Sequence, residues 1–284
     1  MCIHTFRHNI LQIVVVFLIL ICYSCATIEE CTDGEYPSAA AIVNTVNRLS
    51  SCSGAIISPK FVVTVRHCML LTTNPEELRV IAGSNRLDKN STKAFLVRKV
   101  TGVVAYPTKG KALDDITLIQ VSFPFFFNKN TNKTVPSTIG PVFGQKCTLI
   151  GWGLSAEGSP INIKQKQTLY MTNCPNINKT DEIICGVLTS DEPEHCVGDS
   201  GGPLYCDGHL SALLLGGACR APGKFVIFIN IINYNKWIKE NMKYDFKNVL
   251  TGWFSVANRL KISPFCSVFI VLSISYVRTF KKYI

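Results

Sequence analysis

The sequence predicts an all-β fold, and three observations predict it. Short runs rich in β-branched and aromatic residues recur along the chain, at 39–43 (Ala-Ala-Ala-Ile-Val), 54–57 (Gly-Ala-Ile-Ile), 61–65 (Phe-Val-Val-Thr-Val), 78–82 (Leu-Arg-Val-Ile-Ala), 95–100 (Phe-Leu-Val-Arg-Lys-Val), 117–121 (Thr-Leu-Ile-Gln-Val), 210–215 (Leu-Ser-Ala-Leu-Leu-Leu) and 225–229 (Phe-Val-Ile-Phe-Ile). Gly, Pro and Asn separate them, as turn residues separate strands. Only one segment carries a helical period: from about Asn233 to Met242, Tyr234, Trp237 and Ile238 fall on one face. Once the ends of the 284-residue chain are set aside, about 220–230 residues remain, enough for one large all-β domain or two fused barrels. No internal repeat and no low-complexity linker interrupts them.

The two ends differ from the middle. Arg7 and His8 precede an apolar run, Ile10 to Cys22, and the small residues Ser24 and Ala26 follow. That is the pattern of a cleaved secretory signal, residues 1–26, and the run is short for a membrane anchor. The main domain is expected over 27–243. A C-terminal extension, 244–284, carries an apolar segment at 265–277 followed by Arg278, Lys281 and Lys282. Such a segment reads either as a short membrane-associated stretch with a basic end or as a packed tail. The formal net charge is +10, but Arg7, Arg259, Lys261, Arg278, Lys281 and Lys282 lie in these ends, and removing the six leaves about +4. With no basic helix and no basic–aromatic interleaving, the sequence gives no reason to expect a nucleic-acid partner. Thirteen cysteines in a chain with a secretory leader point to disulfides. Sequons at Asn90, Asn132 and Asn178 mark candidate glycosylation sites on the same route.

The chemistry is concentrated in residues 196–204, Cys-Val-Gly-Asp-Ser-Gly-Gly-Pro-Leu. Glycines on both sides of Ser200 allow a sharp turn, after which the N–H groups of Gly198 and Ser200 can converge where a carbonyl oxygen gains charge during acyl transfer. A serine hydroxyl needs a neighbouring base to act as a nucleophile. Upstream lie Thr-Val-Arg-His-Cys (64–68) and Asp-Asp-Ile-Thr-Leu-Ile (114–119). His67 is the side chain suited to take that proton near neutrality, and Asp115 is the carboxylate suited to fix its tautomer and stabilise the imidazolium. Taken singly, His67 reads as a half-buried structural histidine and Asp115 as a turn acid; the three contexts in this order read as a triad. His67, His195 and His209 lack metal-ligand spacing, so neither a metal nor a cofactor is expected.

Over roughly residues 28–243 the chain resembles the trypsin/chymotrypsin family of serine endopeptidases. The resemblance is carried by Ser-Cys-Ser-Gly-Ala-Ile-Ile-Ser (51–58), Val-Val-Thr-Val-Arg-His-Cys (62–68), Asp-Ile-Thr-Leu-Ile (115–119), Cys-Thr-Leu-Ile-Gly-Trp-Gly (147–153), the Ser200 stretch and Asn-Tyr-Asn-Lys-Trp-Ile (233–238). It implies two antiparallel Greek-key β-barrels packed together with a C-terminal helix. It also implies a Ser200–His67–Asp115 triad, an oxyanion hole of Gly198 and Ser200, and four disulfides: Cys52–Cys68, Cys147–Cys206, Cys174–Cys185 and Cys196–Cys219. Cys31 and Cys266 have no family partner; they are free, paired with each other, or paired with another chain.

The sequence departs from the family in three places. Asp199 is kept as the acid that pairs with a newly formed N-terminus, but Ile28-Glu29-Glu30-Cys31 stands where a small-residue start is usual, and no Arg or Lys lies just ahead of Ile28. Leu214 and Leu215 replace the Ser-Trp of the cleft strand, so the triad acid loses a hydroxyl contact; Val65 and Arg66 replace two small residues beside His67. In the substrate pocket, Glu194 at the base favours a basic side chain, whereas Val226, opposite Gly216, shortens the space. The expected activity is therefore that of a secreted, monomeric serine endopeptidase with protein or peptide substrates and protease inhibitors as partners. The alternative is a weak or inactive homologue serving in binding or regulation.

Overall fold

The computed structural model describes residues 29–46, 51–72, 74–87, 96–107, 114–155, 162–175, 182–188, 195–196, 200–217 and 225–243. In chain order the strands of the first half are β1 (Glu29–Glu30), β2 (Ala39–Asn44), β3 (Ser51–Ser58), β4 (Phe61–Val65), β5 (Leu78–Ala82), β6 (Leu96–Ala105) and β7 (Ile116–Val121). β2 to β7 close into an antiparallel barrel in the order β2-β3-β4-β7-β6-β5. The β-branched runs read from the sequence are its staves, and they form strands because they bury whole side chains. Ile42, Val62, Val63, Val80, Ile116, Leu118 and Ile119 are fully buried inside it or against its neighbour.

The second half contributes β8 (Lys146–Gly151), β9 (Leu154–Ser155), β10 (Gln165–Thr172), β11 (Ile183–Leu188), β12 (His195–Cys196), β13 (Pro203–Cys206), β14 (His209–Gly217) and β15 (Phe225–Asn230). The sheet runs β10-β11-β15-β14-β13-β8, and pairing of β10 with β8 closes it into a second six-stranded antiparallel barrel. The two-barrel architecture implied by the resemblance is therefore the one the chain adopts. A 3-10 turn, Ile231–Tyr234, leads into a helix, α1 (Asn235–Asn241). The helix is shorter than the periodic segment, because its first turn tightens to 3-10 geometry under an Asn230 cap that accepts from the Ile232 N–H. Tyr234 and Ile238 are buried and Trp237 packs against them, as the period requires.

The strand β1 was not legible as a strand. It joins the outer edge of the second barrel, with Glu29 opposite Lys166 and Glu30 opposite Gln165. Cys31 follows, with its N–H donating to the Lys164 carbonyl at 2.9 Å. Among the described residues Cys31 is a free, buried thiol. Burial pushes its pKa up to about 11, with Lys164 opposing the shift, which leaves it protonated near neutrality. Lys164 is itself buried; burial lowers its pKa, and its ammonium donates to the Glu35 carbonyl at 2.6 Å.

The barrels meet along a seam. Ser38 of the first and Tyr205 of the second share a hydrogen bond of 2.7 Å, with Tyr36 tilted against the Tyr205 ring. The Trp152 indole donates to the Asn85 carbonyl at 3.2 Å. Three disulfides staple the described residues, Cys52–Cys68, Cys147–Cys206 and Cys174–Cys185, and these are three of the four pairs the family pattern implies. The fourth, Cys196–Cys219, lies outside the described side chains. So do residues 1–26, the tail 244–284 with Cys266, and the sequons Asn90 and Asn178. Among the described residues no helix is long and apolar enough to cross a membrane.

Candidate active site

The site forms where strand ends of the first barrel meet the start of a strand of the second. β4 and β7 run antiparallel with Val65 opposite Ile116. The residue after β4 and the residue before β7 must then be neighbours, and the Arg66 N–H donates to the Asp115 carbonyl at 3.1 Å. From Arg66 the chain turns into a 3-10 helix, Arg66–Leu71, which brings the His67 ring against Asp115. The Asp115 carboxylate accepts twice from that residue: Oδ1 from the His67 backbone N–H at 2.8 Å, and Oδ2 lies 2.5 Å from the ring Nδ1. The pair is half-open, with side-chain exposures of 37% for His67 and 19% for Asp115. A carboxylate held on Nδ1 leaves Nε2 as the free basic nitrogen of a neutral ring.

Ser200 comes to this loop from the second barrel. Its carbonyl accepts from the Ser53 N–H at 2.9 Å, and the Cys68 sulfur lies 3.4 Å from the same oxygen. Cys68 is the residue after His67, and the Cys52–Cys68 disulfide ties it to β3. The anchoring continues at Gly201, whose N–H donates to the Leu214 carbonyl at 2.7 Å, while the Leu214 N–H donates to the Gly202 carbonyl at 2.8 Å. Gly201 has φ of +82°, and a Cβ there would collide with the Ser53 carbonyl and Thr64 Oγ1. Glycine is required twice over, by the left-handed backbone and by the approach of one barrel to the other. Thr64 Oγ1 donates to the Ser53 carbonyl at 2.7 Å, which holds β3 in place beneath Ser200. Sequence reasoning missed Ser53 and Thr64. The Ser-Cys-Ser-Gly run around Cys52 was the signal that could have pointed to them.

The structure thus brings His67, Asp115 and Ser200 into one region. Gly198, Asp199 and Glu194 lie outside the described residues. Gly216 is exposed on β14, whereas Val226 of β15 is buried among Leu214, Phe228 and Leu169 in the interior of the second barrel. Leu214 is buried in the same cluster. Its side chain has no polar atom to offer Asp115, whose only side-chain hydrogen bonds among the described residues come from His67. One residue before Asp115, Asp114 is buried and accepts from the Tyr234 hydroxyl at 3.4 Å, which couples the approach to β7 to the C-terminal helix segment. No cluster of three or more His, Cys, Asp or Glu side chains that could hold a metal comes together among the described residues.

Comparison with known proteins agrees with this architecture. The family model described as Trypsin matches residues 27–238. The chain is similar to submandibular glandular kallikrein-9 of Rattus norvegicus, 28% identical over 240 residues, covering 75% of this chain and 88% of that protein. It is also similar to kallikrein-14 of Homo sapiens, 28% identical over 232 residues, covering 76% and 83% respectively. Among solved structures it resembles neuropsin, a serine protease expressed in the limbic system of mouse brain, with a TM-score of 0.64 and 24% identity over 76% of this chain and 98% of that one. Human heparin binding protein shares the fold at a TM-score of 0.66 and 18% identity, over 77% and 96%.

Proposed function

Because the chain belongs to the trypsin family of serine proteases, we propose that it is a secreted endopeptidase acting through Ser200, His67 and Asp115. The observation that carries this reading is the 2.5 Å contact of His67 Nδ1 with Asp115, beside a Ser200 backbone hydrogen-bonded to the disulfide-tied β3. His67 Nε2 takes the proton of the Ser200 hydroxyl as its oxygen attacks a peptide carbonyl, and the N–H groups of Gly198 and Ser200 receive the oxyanion. The imidazolium, stabilised by Asp115, returns its proton to the leaving amine. Water, deprotonated in turn by His67, then attacks the acyl-enzyme and releases the acid. No cofactor enters these steps.

Specificity is assigned to Glu194, Gly216 and Val226. The acid favours an arginine or lysine side chain, and Val226, packed into the buried cluster with Leu214 and Phe228, fills depth that a glycine there would leave open. Activation is assigned to trimming at Thr27–Ile28, whose new ammonium would pair with Asp199. The leader residues and the sequons, of which Asn132 is exposed, support secretion of a glycoprotein; its assigned partners are protein substrates. Hydrolysis of a mixed peptide library by the secreted protein tests the proposal: Ser200→Ala should abolish cleavage and leave the melting temperature unchanged. Retained cleavage would remove Ser200 from its role.

A second reading, a binding or regulatory homologue without turnover, draws on one observation. Leu214 is apolar and buried, so Asp115 receives no hydroxyl at that position. A well-folded parent protein that cleaves nothing, even after limited proteolysis upstream of Cys31, would favour it.

A further inference from the structure

The end of the first barrel farthest from His67 carries an aromatic projection with no part in the chemistry. After β7 the chain reads Ser122-Phe-Pro-Phe-Phe-Phe-Asn-Lys129. Phe125 is buried, but Phe123 and Phe126 are 70% and 73% exposed and Phe127 is 37% exposed. Three exposed phenylalanines within five residues are costly to leave in water. The loop is also held firmly. The Ser122 N–H donates to the Lys99 carbonyl at 2.9 Å, and the Phe125 N–H donates to the Pro59 carbonyl at 2.7 Å. The Arg98 guanidinium donates to the Pro124 carbonyl at 3.2 Å and lies over the Phe125 ring. The rings are therefore presented by a braced scaffold rather than by a hinge.

The rim is cationic. The same hydrogen bonds place the backbone of Lys60 and Lys99 beside the loop, since the Val121 N–H donates to the Lys60 carbonyl at 3.0 Å. Lys129 and Lys133 follow the rings on the exposed side of the chain, and Val97, exposed on β6, precedes Arg98 and Lys99. No Asp or Glu occurs between Asp115 and Glu157, and none occurs in β6 or in the β3–β4 turn that brace the loop. The acids nearest Lys129 are Asp33 and Glu35, flanking Gly34, which abuts the Lys129 carbonyl, and the Glu35 carboxylate is paired with Lys166. Exposed rings beside Lys60, Lys99, Lys129 and Lys133 match the interface of an anionic bilayer. There the rings enter the headgroup–acyl boundary while the ammonium groups meet lipid phosphates.

We propose that the Phe123–Phe127 tip docks the protein on anionic lipid surfaces. β7 has six residues, about 20 Å of chain, and Asp115 sits at its other end. Docking through this tip holds the His67–Asp115 pair away from the membrane, facing solvent. This surface is separate from the apolar segment 265–277 and does not depend on the catalytic reading.

Flotation of the full-length secreted protein with phosphatidylserine–phosphatidylcholine vesicles tests it, with pure phosphatidylcholine vesicles alongside. The parent should float with the anionic vesicles, and added salt should weaken the binding. Phe123→Ser/Phe126→Ser/Phe127→Ser should bind at least about tenfold less tightly at an unchanged melting temperature. Lys60→Gln/Lys99→Gln/Lys129→Gln should lose the preference for the anionic vesicles. As a readout that leaves the fold untouched, Phe126→Trp should gain fluorescence that brominated lipid quenches. A triple-phenylalanine variant that floats like the parent would overturn the proposal. So would a parent that ignores vesicles, including one whose aromatic tip engages a protein instead, or a Phe126→Trp variant whose added fluorescence is indifferent to brominated lipid.

Discussion

At Gly201 a single hydrogen atom decides whether the two barrels can meet. Its φ is +82°, and a methyl group would strike the Ser53 carbonyl and the Thr64 hydroxyl, the two groups that also bond one another beneath Ser200. Gly201→Ala therefore combines backbone strain with a collision against main chain, which cannot rotate away. We expect a loss of more than about 3 kcal/mol, read as a lower melting temperature or a failure of secretion. Ser200→Ala, one residue earlier, should cost almost nothing in stability, because Ser200 is held through its backbone carbonyl. The contrast separates the residue that shapes the site from the one proposed to react. A Gly201→Ala protein as stable as the parent would contradict the seam described above.

At the scale of elements, β1 is held to the second barrel by charge as much as by its two ladder positions. Lys166 of β10 pairs with Glu35 at 2.7 Å and with Glu29 at 3.3 Å, and Glu35 also accepts from the Thr32 N–H and hydroxyl. Burial pushes the Glu35 carboxyl up, but the Lys166 ammonium and the Thr32 donors outweigh it and hold the pKa below the usual range. A lowered carboxylate pKa stabilises the fold above the unfolded-state value, about 4.3, and that stabilisation is lost as pH falls through the folded-state value. The hydrogen bond to Glu35 raises the Lys166 pKa, so its share is present below about 10.4 and is lost as pH rises through the raised value. Glu35→Gln should lower stability near neutrality by about 1 kcal/mol or less, with the deficit closing below about pH 4. Thermal melts of parent and variant across pH check this; a deficit that persists in acid would assign the effect to packing.

The same region shows what the sequence made legible and what it did not. The first barrel reads directly, because β2, β4, β5 and β7 are short, mostly apolar runs buried along nearly their whole length. β10 does not, because Gln165 and Gln167 face inward where an alternating strand would carry apolar groups. β1 is two glutamates whose strand character comes only from the partner they pair with. His67, Asp115 and Ser200 were legible because their neighbours are unusual. Gly201 was legible as a turn glycine but not as a point of contact between the barrels. Ser53 acts through its main chain across the seam and Thr64 through a hydroxyl on the Ser53 carbonyl, and single residue types do not announce such contacts.

For the whole molecule, the barrels share a core across the seam, although the second barrel keeps a smaller cluster of its own around Leu169, Leu214 and Phe228. The larger core joins Val62, Val63 and Ile119 of the first barrel to Leu213 and Ile229 of the second, and to Tyr234 and Ile238 at the C-terminal end. Tyr106 lies edge-on to both Tyr234 and Trp237, at ring separations of 4.9 and 5.5 Å. The C-terminal helix thus closes over the first barrel although it follows the second in sequence. A shared core predicts a single cooperative unfolding transition, with near- and far-ultraviolet circular dichroism falling together in denaturant; two separated transitions would mean that the barrels unfold independently. The seam at which the barrels join is also where Ser200 meets the His67 loop, so the proposed chemistry depends on the assembled molecule. Labelling of the secreted protein by a fluorophosphonate probe, with Ser200→Ala as control, tests that dependence most directly. Labelling that requires Ser200 and disappears with the folding transition is the predicted result. A folded protein that resists the probe, or one labelled equally after Ser200→Ala, would contradict it.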